Sequence, residues 1–197
     1  MRKPLLLLLV LAVLFPPAAG SAGTWVLDTA HTGIHFKVRH LMVSWVRGDF
    51  ERFSGTIVYD EKDVTNSSAD ITIEAASINT RIAKRDKHLI SPDFLDAAAH
   101  PVLTFRSKRV EKAPDGTLKM TGDLTIRGVT REVVLTVEGP SPAVKDLEGK
   151  MRVGGTATAK IDRKVFGLTW NKAIEAGGVV VGDEVFIIIE VELVRNA

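Results

Sequence analysis

The 197-residue chain has no cysteine. Disulfide staples, thiolate metal sites and a thiol nucleophile are therefore excluded, and stability has to come from core packing and strand pairing. A lipid anchor on a cysteine after a leader is excluded for the same reason. No hydrophobic run is long enough to cross a bilayer: Leu5 to Phe15 spans about eleven uncharged residues, where a spanning helix needs about twenty. Neither sign of charge is in surplus. Lysine and arginine total 26 against 24 for aspartate and glutamate, and without Arg2 and Lys3 the balance is even. That leaves no basic stripe for nucleic acid. There is no internal repeat, no low-complexity tract, no HxH or HExxH spacing and no GxSxG. The usual signatures of a histidine-based zinc site and of a serine presented on a strand–turn–helix elbow are thus missing.

What stands at the N-terminus has the form of an export leader. Arg2 and Lys3 give a short basic region, Leu5 to Phe15 the apolar stretch, and Ala18 to Gly23 a zone of small residues suited to cleavage. Residues 1–22 are assigned to a signal peptide and 23–197 to one domain of roughly 175 residues, long enough for a sizeable core. The mature protein is expected to be periplasmic or secreted, with no stable membrane span after cleavage.

Strand signals dominate the rest, because successive strand side chains face opposite ways and apolar residues recur with period two. Ile34, Phe36 and Val38 share one face; His35, Lys37 and Arg39 share the other. From Ser44 to Asp60 the alternation changes phase, with Val46, Gly48 and Phe50 on even numbers and Phe53, Gly55, Ile57 and Tyr59 on odd ones. One extra residue near Glu51–Arg52 would do this, so a β-bulge is expected there. Ile71 and Ile73 face in, as do Leu103 and Phe105. Leu118 to Ile126 and Val133 to Val137 form a hairpin about Gly128, with Leu124, Ile126 and Leu135 inside. Met151 to Arg163 and Glu184 to Val194 complete the set, and in the last strand Val185, Ile187, Ile189, Val191 and Leu193 face in. Gly155, Ala157 and Ala159 fall on inward parity, with Gly122, Ala69 and Ala75. Small residues facing an axis leave volume for something else to occupy.

Thr80 to Leu95 lacks period two and is expected to hold two short helices, anchored by Ile82, Leu89, Phe94 and Leu95. Ser91-Pro92-Asp93 resembles a helix start, with Ser as N-cap and Pro in the first turn. The expected fold is all-β: an eight-stranded antiparallel up-and-down, lipocalin-like barrel with a short helical insertion between strands 3 and 4. Closure would also remove exposed strand edges. An interior of that size holds either its own side chains or one ligand.

The order of motifs resembles the YceI-like family, polyisoprenoid-binding, lipocalin-like proteins of the bacterial periplasm or exterior. The first block is Trp25-x-x-Asp28-x-x-His31-Thr32-x-Ile34-x-Phe36-x-Val38-Arg39-His40-Leu41, running on through Ser44-x-Val46-x-Gly48-x-Phe50-x-x-Phe53-x-Gly55. Ser77-Ile78-x-Thr80, Arg85-Asp86-x-His88-Leu89-x-Ser91-x-Asp93-Phe94 and Pro101 follow. Gly122-x-Leu124-Thr125-Ile126-Arg127-Gly128-Val129-Thr130, Arg163-x-x-Phe166-Gly167-Leu168 and Gly182-Asp183-x-Val185 close the pattern. Leu95 and His100 stand where the family usually has aromatics. The resemblance implies a barrel around an isoprenoid chain, such as a polyprenyl phosphate or a quinone. The expected wall comprises Ile34, Phe36, Val38, Phe53, Ile73, Leu89, Phe94, Leu103, Phe105, Leu124, Ile126, Leu135, Gly155, Ala157, Ala159, Phe166 and Leu168.

The polar candidates for a head group or pocket mouth are His31, His40, Arg85, Asp86, His88, Arg127 and Arg163. Arg85 and His88, three apart on a helix, can share a face; with Asp86 they either tie the insertion to the barrel or hold a head group. Arg163 shares inward parity with Ile161, where an unpaired charge is costly. Its planar fork suits a ligand phosphate or a carboxylate such as Asp162 equally. Phe186 and Ile188 face outward, to be covered by the insertion or by a second copy in a homodimer. The expected function is binding an isoprenoid lipid, for carriage, storage or protection, without catalysis, cofactor, metal or nucleic acid. The alternatives are an enzyme acting on a lipid-like substrate and a filled, stress-protective barrel. Intact-mass analysis of exported protein should place the mature N-terminus between Ser21 and Trp25; retention of Met1 would refute the leader.

Overall fold

The computed structural model describes residues 25–173 and 178–195. The leader assigned to residues 1–22 lies outside the described residues. The strands are β1 (Trp25–Leu27), β2 (Gly33–His40), β3 (Ser44–Phe50), β4 (Phe53–Val58), β5 (Ser68–Glu74), β6 (Ile78–Asn79), β7 (Val102–Lys112), β8 (Leu118–Ile126), β9 (Val129–Glu138), β10 (Val144–Lys145), β11 (Met151–Asp162) and β12 (Val181–Arg195). One helix, α1 (Ala83–Leu89), stands between β6 and β7, and short 3₁₀ turns occur at Val64–Asn66, Ala75–Ser77 and Arg163–Phe166. No helix among the described residues is long and apolar enough to cross a membrane.

The strands form one antiparallel curled sheet in the order β4-β5-β7-β8-β9-β11-β12-β2-β3-β6, with β1 along the end of β12 and β10 along β11. Twelve strands stand where the alternation predicts eight. Two interruptions split long strands, and β1 and β10 are too short to show a period. The phase change predicted at Glu51–Arg52 occurs there, between β3 and β4, but the surplus residues sit on the partner. Phe50 pairs with Ile78 and Phe53 with Ile73, so Glu51 and Arg52 oppose Glu74 to Ser77. The Ala75–Ser77 turn absorbs the excess, tied by Glu51 N–H to the Ser77 carbonyl (3.1 Å) and Glu74 N–H to the Arg52 carbonyl (2.9 Å). Phe50 and Phe53 thereby face the same side despite opposite parity.

The insertion holds one helix instead of two. Ser91-Pro92-Asp93 makes consecutive turns. The Ser91 hydroxyl donates to the His88 carbonyl at 2.7 Å and accepts the Asp93 N–H at 3.4 Å, a local cap that no helix follows. α1 is instead held at its start by Asp86, whose carboxylate accepts the Thr80 N–H at 2.8 Å.

Backbone pairing is uneven around the sheet. β11 and β12 stay in register from Arg152↔Val194 to Asp162↔Glu184. β11 and β9 pair only through Thr156↔Glu138, Ala157↔Val137 and Thr158↔Thr136. Beyond that point β11 leads into the Arg163–Phe166 turn, and Phe166, 1% exposed, packs into the core there. The opposite end is closed by Trp25, Val153 and Leu193 with Tyr59 packed alongside.

At that opposite end a charge network joins four segments. Arg152 on β11 bonds Asp28 (2.6 Å) after β1, Asp146 (2.6 Å) after β10 and Glu192 (2.5 Å) on β12. His31 bonds Asp28 at 2.9 Å. The bonds from His31 and Arg152 hold the Asp28 carboxyl well below the usual carboxylate range. Its partner Asp28, then the field of Glu192, raises the His31 pKa, and Arg152 lowers that of Asp146. A histidine raised by folding adds stability that is fully present below its unfolded pKa, about 6.5, and is lost as pH rises through the folded value. Depressed carboxyls add stability present above about 3.9 and lost as pH falls toward their folded values. The network should therefore stabilise most in the window between those limits. Asp28→Asn should move the NMR titration of His31 down toward about 6.5 and flatten the alkaline side of melting temperature against pH. An unchanged His31 titration would show that the pair does not form.

Candidate binding cavity

The inward faces of the sheet surround a cavity of about 310 Å³. It runs from Leu27, Tyr59, Val153 and Leu193 at the Arg152 end to Val181, Leu168, Phe166 and Arg163 beneath α1. Period two explains the wall: Ile34, Phe36 and Val38 on β2, Ile73 on β5, Leu103 and Phe105 on β7, Leu124 and Ile126 on β8 and Leu135 on β9 all line it. Phe53, Gly155, Ala157, Leu89, Phe94, Phe166 and Leu168 line it as well. Ala159 does not; it is half-buried against the core where β11 leaves β9. Leu27 and Tyr59 belong to the wall without having been assigned to it. β1 gives three residues, too few for alternation to be seen, whereas Tyr59 shares the parity of Phe53 and Ile57.

The small residues divide by role. Ala157, 7% exposed, faces the open volume. Gly122 does not leave space: a Cβ there would lie 2.6 Å from the Phe105 ring, which occupies the position. Gly155 lines the cavity, yet a Cβ would meet the Glu138 carbonyl at 2.9 Å, so its bareness permits β9 to approach β11. Ala75 is fully buried in the turn between β5 and β6, outside the wall.

The polar candidates are not brought together. Arg85, Asp86, His88, Arg127 and Arg163 lie at the α1 end. His31 lies at the other, exposed and paired with Asp28, so it belongs to no mouth shared with His88. His40 ends β2 opposite Ser44 and does not reach the cavity wall. Arg85 folds back on Thr80, donating to its hydroxyl (2.7 Å) and its carbonyl (2.9 Å). Since Asp86 holds Thr80 too, this pair anchors α1 to β6. His88 bonds Asp93 at 2.8 Å and sets its ring edge-on to Phe94 and Trp170, at 5.0 and 4.8 Å between centroids. That cluster packs α1 against the segment after the Arg163–Phe166 turn. Arg127, with φ of 50°, donates to the Gly167 carbonyl at 3.1 Å.

Arg163 is 3% exposed. Its Nε donates to the Gly182 carbonyl (2.9 Å), Nη1 to the Leu168 carbonyl and to that of Trp170 (2.9 Å), and Nη2 to that of Val181 (3.4 Å). Asp183 lies 3.5 Å away. Burial pushes the guanidinium pKa down, while Asp183 and Asp162 oppose this. The inward parity was right, but the carbonyls of Gly182, Leu168, Trp170 and Val181 take its N–H groups, Asp183 adds only a nearby opposite charge, and Asp162 instead accepts the Lys164 N–H at the start of the turn.

Asp28, His31 and Glu192 have ligand atoms within reach of one another. Arg152 bonds both of those carboxylates and stands where a cation would.

The cavity wall carries few polar residues, Thr32, His35, Ser67, Tyr59 and Arg163 among them. A deep apolar cavity with so little polarity suits an apolar guest. The fold and cavity therefore define a β-sheet binding protein with an apolar interior. Residues 25–193 match the model of the YceI-like domain, and the chain belongs to that family. A UPF0312 protein of Vibrio cholerae is 36% identical over 170 residues, covering 85% of this chain and 89% of the relative. The crystal structure of the Campylobacter jejuni YceI protein aligns with a TM-score of 0.69 at 36% identity, over 87% of this chain and 98% of the other. A polyisoprenoid binding domain from Saccharophagus degradans shares the fold, with a TM-score of 0.63 at 16% identity, over 88% of this chain and 99% of that one.

Replacing Arg163 by Ala strips partners from several buried carbonyls, so unfolding should become easier by about 2–4 kcal/mol. Because four backbone carbonyls already hold the guanidinium, phosphorylated and neutral isoprenoids should lose affinity equally. A selective loss for the phosphorylated one, at unchanged stability, would assign Arg163 to the head group instead.

Proposed function

We propose that the mature protein binds one apolar lipid chain of the isoprenoid class inside the curled sheet and carries or shelters it outside the cytoplasm. The observation that carries this is the cavity itself, about 310 Å³ behind an almost wholly apolar wall. That lies at the lower end of ligand pockets. A lining of this kind offers dispersion and desolvation along its length but no polar constellation for chemistry, so the protein acts as a binder and not as an enzyme. The family and the Saccharophagus degradans domain support an isoprenoid over other apolar chains. The eight longer stretches, read as staves of a lipocalin-like barrel, would enclose the chain lengthwise, with its head at either end. Purification from the native host followed by mass spectrometry of an organic extract should reveal such a lipid.

Ala157→Phe tests the cavity directly. The new ring would enter space that the lipid uses, so isoprenoid affinity should fall at least about tenfold. The delipidated variant should melt at the wild-type temperature or above it, because buried apolar area contributes about 25 cal/mol per Å². If the interior were filled by side chains, overpacking would cost about 1–3 kcal/mol. A variant that is less stable yet binds normally would favour the filled barrel.

A further inference from the structure

We propose that the β2–β3 hairpin tip, with the aromatic and cationic outer face beside it, docks on an anionic phospholipid surface from which the cavity exchanges its lipid. This rests on the lipid-binding function above and adds the surface on which exchange takes place.

The hairpin tip is built at an energetic cost. Leu41 and Met42 have φ of 50° and 61°, and the Val43 N–H closes the turn on the His40 carbonyl at 3.1 Å. Two central residues with positive φ are those of a type I′ hairpin turn, where Asn-Gly is usual and side chains with a Cβ are strained. Here the strained positions carry Leu and Met, and the tip displays Met42 at 55% and Val43 at 79% exposure. Strain that places apolar groups in water points to a use for them.

The adjoining outer face supplies the second observation. Trp45 and Phe186 meet edge-to-face at 5.4 Å. The Lys37 ammonium lies 5.1 and 5.3 Å from the two ring centroids, and the Arg39 guanidinium lies 4.1 Å from that of Trp45. The outward Phe186 is thus covered by Trp45 and Lys37, not by α1. Among the described residues, Lys37, Arg39 and Arg47 have no carboxylate within ion-pair distance. Their neighbours His35 and Lys160 are paired, with Asp49 and Glu184. Apolar side chains at a tip, an indole behind them and cations without a carboxylate partner among the described residues match the layers of a membrane interface. A second copy fits less well. A two-fold interface sets a patch against itself, so these cations would face one another. The location also suits exchange: the inner faces of β2 and β12 here, Val38, Val181 and Val185, are the cavity wall.

The mature chain is tested by flotation with vesicles of phosphatidylcholine alone and of equal parts phosphatidylcholine and phosphatidylglycerol. Binding of a fluorescent isoprenoid in vesicle-free solution is measured in parallel. The expected result is salt-sensitive partitioning onto the anionic vesicles only. Arg39→Ala and Arg47→Ala should each weaken it about fivefold, and Met42→Asp with Val43→Asp should abolish it. Leu147→Asp, at the far end of the molecule, should leave it unchanged. All these variants should keep their melting temperature and their affinity for the isoprenoid in solution. Equal partitioning onto both vesicles, or a tip variant that partitions like wild type, would overturn the docking surface while leaving lipid binding intact. So would a dimer in sedimentation that Phe186→Asp dissociates, since the face would then be covered by a second copy. Failure of the wild type to bind the isoprenoid in solution would overturn the lipid-binding function and the docking surface together.

Discussion

Where β11 runs past its short pairing with β9, the guanidinium of Arg163 takes over the work of a sheet ladder. It gathers the carbonyls of Leu168, Trp170, Val181 and Gly182 where the β2–β12 ladder is interrupted between Val181 and Val185. Buried carbonyls without partners are costly, so this one side chain ties the Leu168–Trp170 segment to the start of β12. Phe166 can then drop into the core from the same turn, and Gly167, with φ of 81°, ends it. The wall of the cavity at this end, Leu168, Val181 and Phe166, is positioned by that arrangement, as is the Trp170 ring against which His88 packs.

Much of the sheet was legible because a one-sided apolar face writes period two directly into the chain. The strands from Ile34 to Val38, from Leu118 to Ile126 and from Val185 to Leu193 are of this kind, and their inward residues do meet the cavity. The break at Glu51–Arg52 was legible as a change of parity. Which strand carries the surplus was not, since parity in one strand is blind to the length of its partner. Ser91-Pro92-Asp93 misled because its cap chemistry is local: the Ser91 hydroxyl does accept the Asp93 N–H, yet the residues beyond it make turns and no helix.

The site was legible in its walls and not in its polar parts. An apolar residue needs only the correct face to line a cavity, so alternation suffices. A polar residue acts through particular partners, and those come from distant segments: Arg127 finds Gly167, Arg152 finds Asp28, and Arg163 finds Gly182. Spacing in the sequence carries no trace of such encounters. The small residues make the same point. Gly122 and Ala157 share inward parity, yet one is overlain by Phe105 and the other borders open space, a difference fixed by the neighbouring strand.

The three-residue pairing between β9 and β11 has a dynamic consequence. Cooperative units in a sheet open where few hydrogen bonds hold them, with free energies that range from near zero up to global unfolding. The β11-directed amides of Val129 to Leu135 are therefore expected to exchange with solvent deuterium well before those along the β11–β12 ladder. Opening there would part the wall between Leu135 and Ile161 without unzipping the rest. The interior is thus bounded by ladders except at the β9–β11 seam and at the edge between β4 and β6, where the sheet does not pair back on itself, and such seams determine how bulky a guest the resting volume can be widened to admit.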